Sequence, residues 1–398
     1  MQKFKYLLIL IFILKYQFGK GQNFNVFAQI DTIINTKIQI EEDAVNAFSY
    51  ENNNIWICIS ENILHERLKL IKYSIPKKVF DTVYLNFPDY PLRVKTMIPD
   101  HIVINEKYLV AAYSNQIAIF KRVGQSNFVF ERNTSLSFMY TYLNITNDLL
   151  IFGIQYYYHP KDQKLNSGLV TYNITKDRFT NAQEINLNNM EWSLFAHDWV
   201  SSKNNMIAFS QSTDYKIKIY DTSLNLVDSI IYTPENWKVF NNNILQKYRD
   251  SVLGFNSKNV IYYLMPFKEK YSRIESVFFK DHETLIVVYF NFSGLINEES
   301  AKKYLDIWKL KNGRWVLDKK SISCEPVDVQ QNDKITKTNF GYSGLHHQIF
   351  VNDLLIQITE LPFDIKFGIT RKEAEKRIKK EILKTTHKLN VFIYKTTF

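Results

Sequence analysis

KLNVFIYKTTF, Lys388 to Phe398, ends the chain, and its alternation of apolar and polar residues predicts a β-strand with no strand after it. Five earlier segments have the same character: LKLIKY from Leu68, IAIFKR from Ile117, LVTYNI from Leu169, IKIYDT from Ile217 and LDIWKL from Leu305. Each of those is followed by a more polar strand, such as KVFDTVYL from Lys78 or LVDSIIY from Leu226. The terminal run alone has no such neighbour downstream.

Upstream, the pattern is regular. An apolar strand precedes each of the six segments: NIWICIS (Asn54), KYLVAAY (Lys107), DLLIFGI (Asp148), NMIAFSQ (Asn205), ETLIVVYF (Glu283) and DLLIQIT (Asp353). One further candidate lies ahead of each apolar strand: AVNAFSY, HIVINEK, LSFMYTYL, SLFAHDWV, IESVFFKD and GLHHQIFV. Turns rich in Asn and Asp lead into the apolar strands. Four strands per unit and six units predict an all-β fold, a six-bladed β-propeller. The strand-like FNVFAQIDTIINTKIQI, Phe24 to Ile40, supplies the missing neighbour. Pairing it beside NVFIYK completes the sixth unit from the other end of the chain and removes an open sheet edge.

This arrangement is similar to secreted, TolB-like six-bladed propellers. The resemblance spans the mature chain and is architectural. No Trp-Asp, kelch or Tyr-Trp-Thr-Asp blade signature is present, so it implies a fold and no subfamily activity. A β-sandwich, two small β domains or a seventh blade in the long interval from Ile207 to Leu285 are the competing architectures. Within that interval, TPENWKVFNNNILQKY reads as a helical excursion with Pro234 near its start.

Residues 1–21 have the layout of a secretory signal peptide: Lys3 and Lys5, an apolar run from Leu7 to Leu14, and cleavage after Gly21. The apolar run is too short for a transmembrane segment. The expected mature protein is one β-propeller domain, residues 22–398, secreted or periplasmic and monomeric. Removing the signal lowers the net charge from +10 to +6, 46 basic residues against 40 acidic. So mild a bias argues against a nucleic-acid partner. Only two cysteines occur, Cys58 and Cys324, in units that a ring of six does not make adjacent. Two separate buried thiols are expected rather than a bridge.

Long connections between second and third strands belong to units three (Gln155 to Gly168), five (Asn291 to Lys303) and six (Glu360 to His387). In a propeller they emerge on one face, with the links between units, and loops gathered on one face suggest the working surface. The unit-six insertion predicts one inserted helix near the C-terminus. Thr370 and Glu373 form a capping box, and Ala374, Ile378 and Ile382 share one side. Its basic outer face suits solvent, an acidic partner or a membrane surface. In unit three, Tyr156, Tyr157, Tyr158 and His159 could form an aromatic platform for a sugar or peptide.

Histidines are few and unevenly placed. His101, His197 and the pair His346 and His347 lie shortly before the apolar strands of units two, four and six, and Asp100 and Asp198 adjoin the first two. Alternate units could bring His101, His197, Asp198, His346 and His347 together at a channel mouth. Imidazoles with a carboxylate are a competent ligand set for a divalent metal, the one cofactor the sequence suggests. The bland alternative has each histidine bonded within its own unit. His65-Glu66 and His282-Glu283 lack the second histidine of a zinc-protease helix, GYSGL (Gly341 to Leu345) lacks a nucleophile-elbow setting, and no phosphate-cradling glycine loop occurs.

These features fit an exported binding module for a protein, peptide or glycan ligand. A metal-dependent hydrolase or lyase using the histidines, and an accessory subunit of an envelope complex, are the alternatives.

Overall fold

The computed structural model describes residues 27–41, 45–59, 67–87, 99–113, 115–159, 164–185, 200–211, 214–239, 270–294, 301–323, 347–351, 354–361 and 386–396. Among them every regular element is a strand. The first, β1 (Phe27–Glu41), precedes sheet one, which contains β2 (Val45–Glu51), β3 (Asn54–Ile59), β4 (Arg67–Ser74) and β5 (Val79–Asn86). Sheet two has β6 (His101–Ile104), β7 (Tyr108–Tyr113), β8 (Gln116–Arg122) and β9 (Phe128–Ser135). Sheet three has β10 (Met139–Thr146), β11 (Leu149–His159), β12 (Lys164–Asn173) and β13 (Arg178–Ile185). Sheet four has β14 (Val200–Lys203), β15 (Met206–Gln211), β16 (Lys216–Asp221) and β17 (Leu226–Ile231). Sheet five has β18 (Arg273–Phe279), β19 (Thr284–Asn291), β20 (Lys302–Lys311) and β21 (Arg314–Ser323).

Those five antiparallel sheets use strands consecutive in the sequence. A further sheet, six, joins β22 (His347–Val351), β23 (Leu354–Leu361) and β24 (Thr386–Thr396) to β1, in the order β1-β24-β23-β22. The two ends of the chain therefore meet in one sheet, as the terminal strand predicts. Their antiparallel register runs from Phe27 opposite Thr396 to Glu41 opposite Thr386. The fold is all-β and propeller-like. First strands pack side by side: β2 on β6, β6 on β10, β10 on β14, β14 on β18, and β22 on β2.

Local chemistry explains the hairpins. The turn from first to second strand is tight and places asparagine in the left-handed region: Asn52 and Asn53 (φ 46° and 61°) in sheet one, Asn147 (53°) in sheet three, Asn204 and Asn205 (48° and 66°) in sheet four. Asparagine tolerates that region better than other side chains with a Cβ, and two-residue hairpins of this twist require it. The second strands then read as apolar runs because both of their faces are covered. All six residues of β7 are buried. Close approach decides one glycine: a Cβ on Gly153 would stand 2.9 Å from Tyr142 Cβ and 3.0 Å from Val200 Cγ2, so β11 needs glycine where sheets three and four meet.

Side chains also stitch the seams. Arg122 on β8 reaches Glu51 on β2 at 2.9 Å, with both largely buried. Asn144 Nδ2 donates to Ser202 O at 3.0 Å across sheets three and four. At the seam of sheets four and five, the buried Asp306 carboxylate accepts from Tyr215 Oη (2.7 Å), Tyr289 Oη (3.0 Å) and the Ser321 amide (2.6 Å). Trp308 Nε1 donates to Tyr215 Oη at 3.1 Å.

Two sequence expectations change in detail. Gln155 to Gly168 is not an open loop: β11 runs on to His159 and β12 starts at Lys164, with Tyr157 opposite Asn166 and His159 opposite Lys164. Cross-strand pairing outweighs the lack of period-two alternation there. Of SLFAHDWV only Val200 lies within the described residues, and it opens β14. The described part of the Pro234 excursion is a turn, closed by the Trp237 amide donating to Pro234 O at 3.2 Å. The inserted helix after Thr370, the signal segment and Cys324 lie outside the described residues. Cys58 is a free, buried thiol whose pKa burial drives upward.

Candidate functional site

Because each first strand joins its second through a tight turn at one end, everything else of interest collects at the other. The opening residues of the first strands, the closing residues of the second strands and the opening residues of the third strands lie there. The strand order fixes this irrespective of side chains.

In sheet two, Asp100 and His101 occupy that end. The Asp100 amide donates to Ala112 O at 2.8 Å, and His101 opposes Ala112 as β6 begins. The half-buried His101 ring lies 5.5 Å from Tyr140, which opens sheet three. Tyr140 Oη donates to Tyr113 O at 2.9 Å. Desolvation raises the Asp100 carboxyl above its ordinary range. Burial raises the Tyr113 and Tyr140 hydroxyls too, and the negative charge of Asp100 adds to the shift. Both phenols therefore stay protonated at neutral pH. An imidazole beside a carboxyl with raised pKa could bind a cation or exchange a proton with a ligand.

Sheet five presents a second set that the sequence reading overlooked. Phe290 on β19 faces Arg273 on one side and Lys303 on the other in the strand register. The guanidinium of Arg273, only 4% exposed, stands 3.8 Å from the ring centroid, and Lys303 Nζ stands 5.2 Å from it. A bulge between Ile274 and Ser276 takes Glu275 out of the pairing, and its carboxylate meets Lys303 at 2.6 Å. The signal was available: RIES places two charges at the start of an otherwise apolar strand. Ser272 and Asn291 pin the incoming link above this set. Lys238 N donates to Ser272 Oγ at 2.8 Å, and Asn291 Nδ2 donates to Glu235 O at 2.7 Å.

Of the predicted site residues, His101 and His347 both open first strands, β6 and β22, which flank β2. His197, Asp198 and His346 lie outside the described residues. Among the described residues no group of three or more His, Cys, Asp or Glu converges as a metal site. Tyr156, Tyr157, Tyr158 and His159 form the end of β11. Tyr156 faces Met139, the first residue of β10, so the three residues beyond it extend past that neighbour. Among the described residues they also extend past β13, whose last partner on β12 is Ser167. An overhanging hairpin carrying three aromatic rings and an imidazole stands at the same end as the strand openings.

No family model and no curated protein matches the chain. Among solved structures, a Bacteroides fragilis protein described as exported is similar at a TM-score of 0.51 and 13% identity, covering 94% of this chain and 98% of its own. Luciferin-regenerating enzyme is similar at 0.39 and 9% identity, covering 92% and 97%. A glutaminyl cyclase of Myxococcus xanthus is similar at 0.31 and 8%, covering 69% and 97%. The first supports the all-β, propeller-like fold; the other two are too distant to carry an argument. Among the described residues no helix is long and apolar enough to cross a membrane.

Proposed function

We propose that the six sheets are the blades of a closed ring and that the protein is an exported binding module. It takes a protein, peptide or glycan ligand at the end where the first strands open. One observation carries this reading: the hairpin of β11 and β12 overhangs both neighbouring strands and bears Tyr156, Tyr157, Tyr158 and His159. Tyrosines offer contact area with a polar tip at low entropic cost, which suits sugar rings and extended peptide. Similarity to an exported protein agrees with the signal-like residues 1–21. Glycan and peptide arrays probed with the mature chain test the reading. Tyr157→Ala with Tyr158→Ala should reduce binding to any hit by about tenfold or more, the loss of an aromatic anchor. Unchanged binding would remove the hairpin from the site.

A second reading rests on His101 and His347, which open the strands on either side of β2. They would hold a divalent metal with His197, Asp198 and His346, and a metal there could activate water for hydrolysis or elimination. Titration of metal-stripped protein with zinc separates the readings. Stoichiometric binding lost in His101→Ala and His347→Ala supports the metal site; no binding by the unaltered chain ends it.

A further inference from the structure

We propose that β5 is a self-docking edge: two copies of this chain pair their β5 strands antiparallel about a two-fold axis at Thr82. The outermost strand of a sheet leaves main-chain donors and acceptors open to another strand, and bulges and charges are the usual protection. Four outer strands are protected in this way. Register shifts interrupt β9 opposite Ile119/Phe120 of β8, β13 opposite Thr171/Tyr172 of β12, β17 opposite Ile219/Tyr220 of β16 and β21 opposite Ile307/Trp308 of β20. The strand from the N-terminus, β1, carries three such shifts against β24.

Sheet one is the exception. Its outer strand pairs without a shift from Arg67 opposite Asn86 to Ser74 opposite Val79, eight residues in continuous register. Among the described residues β4 is its only strand partner. Val79 and Tyr84 are 46% and 40% exposed. The single charge within the strand, Asp81, lies opposite Lys72 in its own sheet.

The strand is complementary to itself. In an antiparallel pair, opposed residues share a face, so the two-fold axis must pass through a residue. Centred on Thr82, the register sets Thr82 against the partner's Thr82 and Phe80 against the partner's Tyr84, both favourable cross-strand pairs. It also sets Asp81 against the partner's Val83. Centring on Asp81 would oppose two carboxylates, so charge disfavours that register. One strand pair is small beside a stable interface, so the dimer should form only at high concentration. The expected monomer is then the dilute form.

Analytical ultracentrifugation of the mature chain across a dilution series tests this. A sedimentation coefficient that climbs from monomer to dimer, and that Thr82→Lys holds at monomer while Ser229→Lys on bulged β17 does not, supports the proposal. A chain that stays monomeric at the highest concentration overturns it, and so does a dimer indifferent to Thr82→Lys. Should the lysine variant fail to fold, Thr82→Cys in a Cys324→Ser background gives a second readout. Oxidation should link two chains through position 82, whereas Tyr84→Cys, set opposite Phe80, should not link. Equal cross-linking at both positions overturns the register.

Discussion

Sheets six and one meet through isoleucines: Ile55, Ile57 and Ile59 on β3 and Ile71 on β4 pack with Ile356 on β23 and Ile393 on β24. Sheets four and five also share an apolar cluster, but a fully buried carboxylate sits within it, Asp306, with its two tyrosines, a tryptophan and a main-chain amide. Apolar burial is strong and tolerant of small displacements. A hydrogen-bonded carboxylate in a low-dielectric seam tolerates none, because any lost donor or acceptor is left without water. The first seam unites strands from opposite ends of the chain. The second unites neighbours in sequence that are separated by a long link, where a fixed register matters more.

Breaking the polar seam should have the larger effect. Asp306→Ala leaves the Tyr215 hydroxyl and the Ser321 amide without their acceptor and Tyr289 Oη with Ser321 Oγ at 3.2 Å, and about 3–5 kcal/mol of unfolding free energy should be lost in chemical denaturation. In the apolar seam, Ile57→Ala removes buried methylenes and should cost about 2–4 kcal/mol. If Ile57→Ala proves the more damaging, the polar network contributes little and the contrast collapses.

A pH series sharpens the same comparison more gently. Desolvation raises the Asp306 carboxyl above its ordinary value despite the hydrogen bonds that oppose the shift. The fold then binds this proton more readily than the unfolded chain does. The contribution is fully present below the unfolded pKa and is lost as pH rises through the folded one. The stability difference between the unaltered protein and Asp306→Asn should therefore fall as pH rises across that window. The difference between the unaltered protein and Ile57→Ala, which involves no titrating group, should stay flat.

How much of this could be read beforehand varies with the range of the interaction. Strand periodicity, the asparagine turns and the partner for the terminal strand are local or patterned, and the sequence carries them openly. Asp306 could be seen as an acid inside the apolar run LDIWKL, but its partner Tyr215 lies 91 residues away, and no pattern links them. Tyr156 to His159 lack alternation and read as a loop, yet pairing of Tyr156 with Met139 and of Tyr157 to His159 with Asn166 to Lys164 makes them strand. Bulges leave no compositional mark either, so neither the bulged edges nor the unbroken β5 could be anticipated. The Arg273, Glu275 and Lys303 set was half legible: the charges were visible, their convergence on Phe290 was not.

The whole account rests on the chain ends sharing one sheet, and a disulfide can trap that directly. Asn35 on β1 stands opposite Asn390 on β24. With Asn35→Cys, Asn390→Cys and Cys324→Ser in one chain, mild oxidation should form an intramolecular bridge in dilute protein. A single protease cut would then leave the two fragments joined until reduction. Fragments that separate without reductant, or a bridge that forms only between chains, would contradict the pairing and the ring built upon it.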